Sequence, residues 1–169
     1  MLSQTMLATM FEYNSARNQR ILAYAANLSD AQLDAPTDYG LGNIRKTLWH
    51  TLIVEYGWRS FLLGIDARAL PPPILQSGSI AEFQAFQREE GGQASGYVAD
   101  LSEDGLVAPT NFTIPGDSGR TLVVWQILNH ILYHSMQHRS ELALWLTQHG
   151  QSPGNLDFLF YMEDTLAEA

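Results

Sequence analysis

Residues 122–150 read LVVWQILNHILYHSMQHRSELALWLTQHG. The stretch predicts one long helix from about Leu122 to His149, closed by Gly150, with His149 in the last turn where a cation suits the negative end of the helix dipole. His130, His134 and His138 fall four residues apart, so they share one helix face, with neighbouring Cβ atoms about 5–6 Å apart. Two imidazoles so placed can reach one ion at about 2.0–2.1 Å. All three cannot, because His130 and His138 are separated by a rise of about 12 Å. The spacing therefore predicts a ligand pair and leaves open which two of the three form it.

Working outward, Met6, Met10, Tyr13, Arg17, Ile21 and Tyr24 recur at spacings of three and four, a helical period running from about Leu2 to Leu28. Ser29 to Gln32 forms a capping-box pattern. Asn43 reads as the N-cap of a second long helix, Ile44 to Leu63, which stops at Gly64. Pro71, Pro72 and Pro73 predict a stiff extended connector from Ala69 to Gly78. A third helix begins at Ser79, with Glu82 as capping-box partner, and runs to about Leu101, with a kink expected at Gly91 and Gly92. Ser102 to Arg120 reads as a long loop with a short strand at Asn111 to Ile114. Asn155 to Glu168 reads as an apolar tail packing back on the helices. The expected fold is all-α: a four-helix bundle with long connectors and a short C-terminal helical tail, one domain over residues 1–169.

Composition narrows the function. The chain has 169 residues, 46% of them hydrophobic and 16% charged, the profile of a globular domain able to bury a core. There are no cysteines, which removes disulfides, a thiolate nucleophile and thiolate ligands, so any metal must sit on His, Asp or Glu. Lys and Arg total 9 against 18 Asp and Glu, a formal charge of −9, and Lys46 is the sole lysine. This disfavours nucleic acid as a partner, since phosphate binding needs basic patches. No stretch reaches the length of a membrane span, and the first residues do not read as a secretory signal, so the chain is expected in the cytoplasm.

His50 is the one histidine outside the last long helix, on a stripe with Ile53, Val54, Gly57 and Phe61, where Gly57 is expected to let a neighbouring helix approach. A third ligand from a facing helix is how bundle metal sites are built. Three neutral ligands leave a position open for water or substrate. Around the site, Glu55 pairs naturally with Arg59 at four residues, or acts beside the metal. Arg139 either grips a substrate carboxylate or forms a salt bridge to Glu55 or Glu141. Glu141 is placed to orient His138 or His134, and Tyr133 is a candidate proton donor. Because ligand imidazoles must be neutral, ion binding near pH 6 is expected to release more than one proton.

These segments resemble the DinB-like, YfiT-like superfamily of helical-bundle metalloproteins over nearly the whole chain. The resemblance rests on Tyr13-Asn14 to Asn18, on Gly42 to His50 with Trp58 beyond, on His130 to Arg139, and on Asp157 to Tyr161. It implies that His50, His134 and His138 are the ligands and that His130 occupies a recurrent non-ligand position. It further implies one divalent transition metal ion, Zn or Ni foremost, and a homodimer. It also implies a small-molecule substrate, with a low-molecular-weight thiol such as bacillithiol, mycothiol or glutathione as cosubstrate in some members. Ser140-Glu141 and Tyr133 depart from the Gly-Gln and Asn often found there. The expected function is a metal-dependent enzyme, thiol transferase or hydrolase in type, activating a water or a small thiol. The alternative is a non-catalytic stress-response protein with a structural ion.

Overall fold

The computed structural model describes residues 3–65, 78–113 and 121–167. The chain is mostly helical: α1 (Gln4–Ala25), α2 (Asp30–Leu33), α3 (Ile44–Leu62), α4 (Ile80–Ala99), α5 (Glu103–Val107), α6 (Val124–Gln148) and α7 (Phe158–Ala167), with strands β1 (Pro109–Thr113) and β2 (Thr121–Val123). Local chemistry sets the helix starts. The Asn43 side chain accepts from the Lys46 N–H at 2.8 Å, and Ser29 and Gln32 form a reciprocal capping box. Gly64 and Gly150 take positive φ, 70° and 74°, just past α3 and α6, where a side chain would be strained.

Helix α1 packs on α4 and α6, and α3 packs on the same two helices, so the four long helices close a ring of contacts. Two apolar clusters fill it. One gathers Ile21, Leu22, Leu48, Leu52, Phe83, Leu142 and Leu146; the other gathers Leu7, Phe11, Val98, Ile127, Leu128 and Ile131. Between them along α1, α3 and α6 lie the buried polar residues Asn14, Arg17, Asn18, Glu55, Ser135 and Arg139. The ring thus has a polar waist at mid-length. No helix among the described residues is long and apolar enough to cross a membrane.

Three expectations need correction. Helix α4 runs unbroken through Gly91 and Gly92. A Cβ at Gly91 would collide with the Ser15 hydroxyl, so this glycine permits the close approach of α1 to α4 and does not break the helix. Gly57 makes no such approach, because nothing among the described residues lies within 4 Å of where its Cβ would be. Leu122 and Val123, read as the start of the last helix, belong instead to β2 (Thr121–Val123), paired antiparallel with an irregular β1. Its β-branched residues suit a strand, and three residues are too few to show a period. The proline connector lies outside the described residues, apart from Gly78.

Candidate metal centre

Helix α3 delivers His50, and α6 delivers His134 and His138. One ring nitrogen from each lies within 4.8 Å of the other two. The ring centroids are 4.9 Å apart for His50 with His134, 4.9 Å for His50 with His138, and 4.5 Å for His134 with His138. Nε2 of His50 and Nε2 of His134 stand 3.0 Å apart. Two nitrogens sharing a tetrahedral ion at about 2.0–2.1 Å would stand roughly 3.3 Å apart, so this pair is within a few tenths of an ångström of ligand spacing. The donor set fits a divalent transition metal: three neutral, borderline-soft nitrogens with no thiolate.

Glu141, one turn beyond His138 on the same face of α6, accepts a hydrogen bond from Nδ1 of His138 at 2.9 Å. That bond fixes the tautomer and leaves the Nε2 lone pair for the cluster. Glu141→Ala is expected to weaken metal binding about 10–100-fold, as loss of such an outer partner does elsewhere. Competition titration with a chromophoric chelator would measure it, and an unchanged affinity would remove Glu141 from the site.

His130 is exposed, one turn along α6, its ring 5.7 Å from that of His134. It packs edge-on against Trp58 at 5.3 Å, and Trp58 in turn meets Phe112 at 4.8 Å. A run of aromatic contacts thus leads from His130 through Trp58 to Phe112.

A family model described as the DinB family matches residues 1–168. The chain belongs to the DinB family. It is also similar to the uncharacterized protein YizA of Bacillus subtilis (strain 168), 25% identical over 150 residues, which cover 88% of this chain and 91% of the relative. Within this DinB-family chain, the remaining candidates fall elsewhere. Tyr133 is 62% exposed on the side of α6 turned away from the histidines, so it is no proton donor at this cluster. Arg139 also points away from the cluster. Its Nη1 donates to Asn14 Oδ1 at 2.6 Å and Asn18 Oδ1 at 2.9 Å, so it meets neither Glu55 nor Glu141 directly. Arg59 pairs with Glu90, at 2.5 and 2.7 Å, and not with Glu55. Glu55 instead accepts from Asn14 Nδ2 at 3.1 Å, from Asn18 Nδ2 at 2.8 Å and from the Ser135 hydroxyl. The asparagines and Ser135 had no assigned role in the sequence reading. Their signal was there, as polar residues at core positions of periodic helices.

Burial, reinforced by repulsion from His138, His50 and His130, pushes the His134 pKa down to about 4. Burial and the nearby His138 also lower that of His50. This corrects the proton count. His134 is already neutral at pH 6 and releases almost no proton there on binding an ion. The sign for stability follows. Between pH 6.5 and about 4 the unfolded chain binds a proton at residue 134 that the folded chain refuses. Stability of the ion-free protein is therefore expected to fall as pH drops through that window. Urea midpoints at pH 7, 5.5 and 4.5 test this, and a midpoint rising toward acid would contradict it.

Proposed function

We propose that this chain is a single-domain four-helix bundle that holds one divalent transition metal ion, Zn or Ni, on His50, His134 and His138, and acts as a metal-dependent enzyme of thiol-transferase or hydrolase type. The observation that carries this reading is the convergence of three imidazoles from two helices, with no carboxylate among them in the described residues. When bound, the ion would lower the pKa of a water or thiol in its open position. The chain supplies the rest. Glu141 orients His138, the crowding of His134 keeps that imidazole neutral, and Trp58 with His130 walls one side of the approach. With no cysteine in the chain, a reacting sulfur must come from a small thiol. The same reading makes the protein a cytoplasmic homodimer acting on a small molecule, not on nucleic acid or membrane; the acidic balance of −9 supports the exclusion of nucleic acid.

The test has two stages. Elemental analysis of untagged protein purified without added metal is expected to find one ion per chain. Metal-loaded protein is then expected to turn over one of a panel of thiols with electrophiles, or of esters and amides. Absence of turnover across the panel would sink the enzyme reading and leave metal binding standing; absence of the ion would sink both.

A further inference from the structure

The side of α6 turned away from the histidines carries a cavity of about 440 Å³. That is within the range of small-molecule sites, roughly 300–1,000 Å³. Met6 and Met10 of α1, Leu132 and Met136 of α6 and Phe158 of α7 give it apolar walls, and Arg139 lines it from within the protein. Met6 is 48% exposed, Met136 50% and Phe158 42%, so the cavity opens to solvent between large apolar side chains. Methionine walls adapt to the shape of an apolar guest.

Charge decides what kind of guest. Arg139 is 4% exposed, and its three hydrogen bonds to Asn14 and Asn18 all leave from Nη1. The Tyr13 phenol also hydrogen-bonds this side chain, and its ring lies 5.3 Å from Cζ. Arg17, 5% exposed, places its own Cζ 5.8 Å from the same ring, and its Nε has no partner among the described residues. Among the described residues of α1, α3 and α6, Glu55 is the single buried carboxylate; it acts on Arg139 through space and is hydrogen-bonded to it by way of Asn14 and Asn18. Two buried guanidinium groups thus stand against one buried carboxylate. Asp157, the acid on the cavity lining, is exposed, and it is its backbone carbonyl that accepts from Arg17. A buried arginine held only by neutral-type acceptors, two asparagines and a phenol, has no ion-paired carboxylate of its own, and its guanidinium matches carboxylate geometry.

We propose that this groove between α1, α6 and α7 binds a fatty-acid-like monocarboxylate, its carboxylate on Arg139 and its apolar chain between Met6, Met10 and Met136. The site is separate from the histidine cluster and does not depend on the ion. The test uses the full chain labelled with ¹³C at its five methionine methyls, three of which lie in the cavity wall. Decanoate below its micelle concentration is expected to shift Met6, Met10 and Met136 saturably, and decanol is expected to bind at least about tenfold more weakly, as loss of a charged hydrogen-bonding partner implies. Arg139→Gln should erase that preference. Because Arg139 is buried, Met136→Trp at a half-exposed position gives the second variant: it fills the groove and should abolish the decanoate shifts with thermal unfolding unchanged. The proposal is overturned by any of three results. These are no saturable shift, equal affinity for decanol, or methionine shifts that follow protein concentration together with a dimer in sedimentation, which would make the groove a contact between copies.

Discussion

His134→Ala and His138→Ala are each expected to abolish stoichiometric metal binding while the far-ultraviolet circular dichroism stays close to that of the parent. Each removes one of only three convergent nitrogens, and no carboxylate among the described residues joins the group to replace it. Two imidazoles with water completing the sphere hold a divalent ion far less well than three. The helices do not depend on the ion, because two apolar clusters packed from Leu7 to Leu146 supply their own burial. His130→Ala is expected to keep the metal: the residue is exposed, and its ring packs on Trp58 a full turn from His134. Elemental analysis after gel filtration, with dichroism on the same samples, decides the matter. Global unfolding of both ligand variants would mean a structural ion. A loss at His130→Ala as deep as at His134→Ala would mean the wrong pair.

What could be read from the sequence was what a single helix encodes. The spacing at His130, His134 and His138, the cap at Asn43 and the stops at Gly64 and Gly150 are local, and the structure has them where the pattern puts them. Choosing His134 and His138 over His130 took the family resemblance, since a helical repeat is blind to what faces it. The same blindness explains the misses. Glu55 and Arg59 share a face, but α4 brings Glu90 opposite Arg59 and α1 brings two asparagines opposite Glu55. Tyr133 and Arg139 are neighbours of ligands along the chain, yet one residue along a helix is about 100° around it, so both leave the site. The depressed pKa of His134 comes first from burial, then from His138, His50 and His130; the spacing reports its two neighbours on α6, but neither the burial nor His50 on another helix.

Glu55→Ala is expected to cost about 3–5 kcal/mol of stability, the range for breaking a buried charged network by removing one partner. Glu55 is 7% exposed and receives hydrogen bonds from α1, through Asn14 and Asn18, and from α6, through Ser135. Its loss would leave three donors facing a void at the waist between the apolar clusters. It would also leave Arg139 and Arg17 without their buried counter-charge. That is a large part of the roughly 5–15 kcal/mol that holds a typical domain folded. Glu55→Gln keeps one acceptor oxygen but turns an NH₂ toward donors, and it should fall between Glu55→Ala and the parent. Metal binding should weaken as well in whatever fraction remains folded, because this residue ties α3, which carries His50, to α6, which carries the other two. Urea denaturation of the ion-free proteins measures the first effect, and chelator competition below the unfolding transition measures the second. If Glu55→Ala cost only about 1 kcal/mol, the usual figure for an ordinary substitution, the waist would not be what fixes the register of α1, α3 and α6. The alignment of the three imidazoles would then have to come from the apolar clusters alone.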